Sequence, residues 1–170
     1  MLKDRLLVLI PLIPAAVALV TVGGWIFTLA VAIVLGLASL EFWRIFTNGG
    51  YKPSVVILIG GSVILPITRS VSGFQYSDAI LVIIIMASMF VHLIEFEKGS
   101  QTAVFDFAIT LGGVMYIGWL GSYLVSIRTL PDGLWWLMLA LPAIWIADGG
   151  AYTIGRHFGK HKISKRASPN

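Results

Sequence analysis

Between Arg5 and Glu41 the chain carries no charged side chain. One membrane-crossing helix needs about 20 predominantly apolar residues, so this stretch is long enough to cross a bilayer twice. Gly23-Gly24 divides it into a first span over 6–22 and a second over 25–42, joined by a tight turn because nothing polar is available for a longer loop. Pro11 and Pro14 fall in the first span, where a transmembrane helix tolerates proline if its neighbours satisfy the freed carbonyls. A cleaved signal peptide is the competing reading of the first span, and it is disfavoured because the apolar run continues past any cleavage point. Composition points the same way. Charged residues are 12% and hydrophobic ones 58% of the chain, whereas soluble domains carry about 25% charged residues. The sequence is that of an integral membrane protein. It has no cysteine, which excludes disulfides and thiolate metal sites and leaves the redox compartment open.

Polar punctuation after Glu41 sets four further spans, over 54–69, 79–96, 105–126 and 134–153. Glu41-Phe42-Trp43-Arg44 closes the second span, with Trp43 suited to the interface belt. Arg69 to Asp78 reads as a Ser- and Gly-rich loop, and Arg128 to Gly133 as a turn before Trp135 and Trp136. Gly112-Gly113, Gly118 and Gly121 interrupt the fifth span, where small residues let helix backbones approach closely in lipid. A basic tail, 154–170, follows the last span. The expected architecture is all-α: one polytopic domain of about six transmembrane helices, without internal repeats or a soluble domain. With six spans both ends lie on one side of the membrane. That side receives Lys3, Arg5, Arg44, Lys52, Lys98, Arg156, Lys160, Lys162, Lys165 and Arg166, and the other receives only Arg69 and Arg128. The positive-inside rule then places both termini in the cytoplasm. A net charge of +4, confined to short connections and the ends, suits a membrane surface and anionic substrates rather than nucleic acid.

Asp148 is the first candidate for chemistry. It lies near the cytoplasmic end of the last span and is followed by Gly149, Gly150 and Ala151. A carboxylate at membrane depth needs a cation, a metal or a hydrated cavity; a helix-locking ion pair is the structural alternative. The second candidate is Gly155-Arg156-His157-Phe158-Gly159-Lys160-His161-Lys162. It is not a phosphate loop, which needs four residues between the glycines and Ser or Thr after the lysine. As a basic cluster it suits phosphate groups or anionic lipid heads. His92 and Glu95 share a helix face and read as a polar pair at a span's end or a metal pair. Glu41 and Arg44 have the same spacing and read as a local ion pair. Asp106 reads as a helix N-terminal charge.

Trp145, Ala147-Asp148, Gly150-Ala151-Tyr152, Gly155-Arg156, Phe158-Gly159-Lys160, Lys162 and Ser168-Pro169 together resemble the phosphatidate cytidylyltransferase (CDP-diacylglycerol synthase) family. There this region reads Ala-Asp-Thr-Gly-Ala-Tyr, then Gly-Arg-x-Phe-Gly-Lys, then Ser-Pro-Lys-Lys-Thr. Glu41 to Arg44 after a Gly-Gly-Trp hairpin also looks like that family's amino-terminal half. Gly149 stands where the family has Thr, and Asn170 where it has the first Lys of Ser-Pro-Lys-Lys. The family's carboxy-terminal signature, with its metal-binding aspartates, is absent, so the chain looks like the front portion of such an enzyme, expected to be inactive alone.

The resemblance implies transfer of CMP from CTP to phosphatidic acid, giving CDP-diacylglycerol and pyrophosphate at the cytoplasmic face of the cell's inner (plasma) membrane, with Mg²⁺ as cofactor. It implies that Arg156, Lys160, Lys162, Lys165 and Arg166 attract the anions. Asp148 would hold the metal or orient a lysine, and Ser168 would contact phosphate. CTP, phosphatidic acid and membrane lipid are the expected partners; a homodimer is one expected assembly. The alternatives are a CTP-dependent polyprenol (dolichol-type) kinase and a non-catalytic membrane scaffold.

Overall fold

A computed structural model describes the backbone of residues 2–158 and the side chains of residues 12–155. Among the described residues six helices follow one another: α1 Leu2–Val22, α2 Gly24–Asn48, α3 Val55–Ser72, α4 Ser77–Glu97, α5 Ala103–Arg128 and α6 Gly133–Phe158. Helices α2 to α6 each contain a segment long and apolar enough to cross a membrane, and the part of α1 whose side chains are described, Leu12–Val22, is apolar as well. Their outward faces are themselves apolar: Val56 is 77% exposed and Ile146 73%. Lipid accepts such a surface and water does not, so the protein is an all-helical polytopic membrane protein.

Hydrogen bonds between elements define the two ends of the bundle. At one end, Arg128 of α5 donates to the carbonyls of Val20 and Thr21 at the close of α1, and Thr28 of α2 donates to Ser70 of α3. At the other end, Trp43 of α2 donates to the Pro53 carbonyl, and the start of α3 bonds to the start of α5. Helix α6 starts beside Arg128 and ends in the direction of this second end. Between the ends, Val20, Phe27, Val31, Leu35, Val125 and Leu137 pack α1, α2, α5 and α6 together, while Leu65, Ile84 and Val114 join α3, α4 and α5.

Helix α5 makes the closest approaches. A Cβ on Gly113 would lie 2.8 Å from the Phe42 ring, one on Gly118 would lie 2.8 Å from the Ser62 Cα, and one on Gly121 would strike Leu35. These glycines face α2 and α3, as small residues at a lipid-embedded interface should; Gly112 faces open space. Beside the Gly118 contact, Ser39 donates to Ser62 over 2.7 Å in the buried middle of the bundle. Residues Val114–Trp119 form a π-helical stretch. The extra residue in a wider turn shifts the phase of the residues beyond it, so Trp119 and Tyr123 turn towards α3.

Two sequence expectations need correction. Helix α2 continues through Arg44 to Asn48, stopping where Gly50 takes a φ of +90°. Arg69 does not lie in a solvated loop: α3 continues through it to Ser72 and ends at Gly73, φ +58°. Arg69 is 2% exposed. Its guanidinium carbon lies 3.5 Å from the centroid of the Phe74 ring, 4.7 Å from that of Trp119 and 4.9 Å from that of Tyr123. Cation–π contacts of about 0.5–2 kcal/mol each offset part of a burial cost of several kcal/mol for a charge.

Candidate functional site

Asp148 lies fifteen residues after Gly133 in α6, about 22 Å along the axis at a rise of 1.5 Å per residue. Trp135 and Trp136 mark the interface where the helix begins, and the hydrocarbon core is about 30 Å thick. Asp148 is therefore placed at membrane depth, short of the second interface. Pro142 sits one and a half turns before it in the same helix, where its ring removes a backbone donor. From Leu137 through Leu141 and Pro142 to Trp145, α6 faces α1. From Ala143 onward the helix is almost entirely exposed, with Asp148, Gly149, Ala151 and Tyr152 open and Gly150 half-buried. Thr153 bonds back to the Gly149 carbonyl at 2.7 Å.

Nothing among the described residues covers the Asp148 carboxylate. Arg156 belongs to the last turn of the α6 backbone, eight residues after Asp148. Lys160, Lys162, Lys165, Arg166 and Ser168 lie outside the described residues. Among the described residues no group of three or more His, Asp or Glu side chains is placed to hold a metal ion. Asp148 thus offers one carboxylate. That fits Mg²⁺ held mainly by substrate phosphates and water with one or two protein carboxylates, and it does not make a self-contained centre.

A second set of polar groups, at the same end of the bundle, is fully assembled. Asp106 is buried at the first turn of α5. Its carboxylate accepts the Lys52 backbone N–H at 2.6 Å and the Thr102 hydroxyl at 2.7 Å. Thr110, one turn on, accepts the Ser54 N–H at 3.0 Å and donates to the Asp106 carbonyl at 2.8 Å. Nε2 of His92 lies 3.3 Å from the Thr110 hydroxyl, and Nδ1 lies 2.7 Å from the Ser88 carbonyl. An acceptor at that distance means that Nδ1 carries a hydrogen. His92 therefore joins α4 to α5 and makes no bond to Glu95. Asp106 is the helix N-terminal charge its position suggested, and it also pins the α2–α3 turn. That turn leaves the Lys52 side chain exposed at the end that α6 approaches. The signal for this network was present in the sequence as three i,i+4 polar pairs: Ser88 with His92, Thr102 with Asp106, and Asp106 with Thr110.

Beside His92 lies a cavity of about 240 Å³, bounded by Met89, Leu93, Phe96, Ala103, Val104 and Phe107. Its walls are hydrocarbon apart from the histidine. It is suited to an acyl chain and not to a nucleotide.

The sequence model of the cytidylyltransferase family matches residues 3–170. The chain is similar to a protein named phosphatidate cytidylyltransferase from Synechocystis sp., 26% identical over 179 aligned positions that take in 89% of this chain and 60% of the relative. One of the same name from Staphylococcus haemolyticus is 27% identical over 85% of this chain and 52% of its own length. Another, from Bacillus subtilis, is 41% identical over 63 residues, 36% of this chain and 23% of its own length. The chain thus spans about half to three fifths of the length of the first two of these curated relatives. No solved structure matches it.

Proposed function

The chain belongs to the cytidylyltransferase family, and from that membership we propose that it forms the lipid-embedded front part of a phosphatidate cytidylyltransferase. In the proposed reaction a phosphate oxygen of phosphatidic acid attacks the α-phosphorus of CTP. A new P–O bond forms, the bond from the α-phosphorus to the bridging oxygen breaks, and pyrophosphate leaves while CMP becomes part of CDP-diacylglycerol. Two polyanions must meet, so charge neutralisation and positioning dominate the catalysis. The observation that carries the reading is Asp148: a carboxylate at membrane depth, on an uncovered face of α6, shortly before a run of cations.

In this reading Asp148 holds one position on Mg²⁺ or orients a tail lysine. Arg156, Lys160, Lys162, Lys165 and Arg166 draw CTP and the lipid phosphate to the membrane surface, and Ser168 donates to phosphate. Mg²⁺, when bound, supplies further neutralisation of the triphosphate. Lys52, held in place through Asp106, adds a cation at the same end. The active face is cytoplasmic and the membrane is the cell's inner membrane, as the charge asymmetry between the two ends supports. Assembly as a homodimer belongs to the same proposal and is checked by cross-linking in native membranes.

The test is Asp148→Asn in the full-length enzyme, assayed in membranes with CTP labelled at the α- or the γ-phosphate. Incorporation of α-label into lipid is expected to fall by roughly 100-fold or more while membrane insertion is unchanged. Near-normal incorporation would refute the role of Asp148. Transfer of γ-label alone would identify a CTP-dependent lipid kinase instead.

A further inference from the structure

Two arginines sit at the end of the bundle where α6 begins, and they are used differently. Arg128 directs Nε to the Val20 carbonyl at 2.7 Å and Nη2 to the Thr21 carbonyl at 3.3 Å, closing the last turn of α1. That is what a structural arginine does at a helix end. Arg69 is more deeply buried, yet among the described residues its Nε, Nη1 and Nη2 have no acceptor at all. The rings of Phe74, Trp119 and Tyr123 cover it. Aromatic rings satisfy the π-face of a guanidinium; its N–H groups point outward in its own plane and remain unmet. A planar fork of free donors is the geometry that binds phosphate or carboxylate in a bidentate manner. Asp78, in the first turn of α4, is exposed and leaves those donors unmet.

We propose that Arg69 is the floor of a phosphate-binding site, closed by Phe74, that takes the phosphate group of a membrane lipid on the face opposite Asp148. The position favours phosphate. Arg69 is in the last turn of α3, at the level where a bilayer places its head groups and where Phe74, Tyr76 and Tyr123 expose their rings, as an aromatic belt does. The cover is of a kind that opens. Phe74 is 52% exposed and sits in the short connection after Gly73, whose φ of +58° favours a residue without a side chain. Movement of this one ring, 3.5 Å from the guanidinium carbon, would open the face it covers and give a phosphate a way in to the N–H groups. The site uses neither Asp148 nor the basic tail, so it stands or falls separately from the proposed activity.

The experiment uses the delipidated, detergent-solubilised protein and native mass spectrometry. Three probes are added separately: phosphatidylglycerol, a diacylglycerol with the same acyl chains, and inorganic phosphate. The wild type is expected to retain phosphatidylglycerol under activation that strips diacylglycerol. Arg69→Gln is expected to weaken that binding by roughly tenfold or more, the effect of losing a charge-assisted bidentate contact. Arg69→Lys keeps the charge without the fork and is expected to bind less well than the wild type. Phe74→Ala, which leaves Arg69 intact, is expected to bind at least as well as the wild type. Retention of inorganic phosphate but not of the lipid would keep the phosphate site and replace its source with a soluble anion. Equal retention of phosphatidylglycerol and diacylglycerol would overturn the proposal. So would wild-type binding by Arg69→Lys, which decides the matter if Arg69→Gln does not fold.

Discussion

Asp106 and Asp148 have surroundings that separate structure from chemistry. Asp106 is buried with both oxygens bonded: a backbone N–H and a hydroxyl meet them, and the first turn of α5 places positive dipole beneath it. Its burial closes it to a ligand. Asp148 is exposed and receives nothing among the described residues of its own chain. Removing Asp106 should therefore be a stability change. Asp106→Ala leaves the Lys52 N–H and the Thr102 hydroxyl without an acceptor, a cost of about 1–3 kcal/mol, whereas Asp106→Asn keeps an acceptor and should cost less. Thermal unfolding in detergent, followed by tryptophan fluorescence, should order the proteins wild type, Asp106→Asn, Asp106→Ala. An Asp106→Ala variant melting with the wild type would show that the network contributes no stability.

At the scale of the helices, the spans were legible because lipid admits few solutions: stretches of about 20 apolar residues separated by charges and glycine turns. Their ends were less legible. Arg44 and Arg69 read as boundary residues, yet the helices run past both, since a helix goes on until a glycine or another breaker stops it. The box around Arg69 was beyond a sequence reading, because Trp119 and Tyr123 come from fifty residues away and a π-helical turn aims them. No residue type announces such a turn. Asp148 and the family resemblance were legible from local spacing alone, whereas the groups that would complete the site are not among the described residues. The glycines of α5 give a paired test. Gly118→Ala places a methyl 2.8 Å from the Ser62 Cα, a backbone atom that does not yield, and should destabilise by about 1–3 kcal/mol. Gly112→Ala meets open space and should be neutral or stabilising by about 0.5–1 kcal/mol through helix propensity. If both variants unfold alike, α5 does not pack on α3 through Gly118.

At the scale of the molecule the two ends are chemically unlike. One presents Lys52, Lys98, Arg44 and the approach to the basic tail; the other presents Arg128, already bound to carbonyls, and Arg69, hidden under rings. Positive charge at the first end is left free and at the second is used up or covered, the asymmetry from which a cytoplasmic first end is proposed. A nucleotide could be drawn to the first end and would find little free positive charge at the second. The absence of cysteine from the sequence makes orientation directly measurable. Asn48, Gln75, Lys98 and Thr129 are all exposed, so each can be replaced by a single cysteine without disturbing the core. A membrane-impermeant maleimide applied to intact cells is expected to label Gln75→Cys and Thr129→Cys, and to reach Asn48→Cys and Lys98→Cys only after lysis. The reverse pattern would put the basic end outside, where no CTP is available, and would remove the proposed cytidylyl transfer. Labelling of one site from each pair would break the antiparallel order of the six helices.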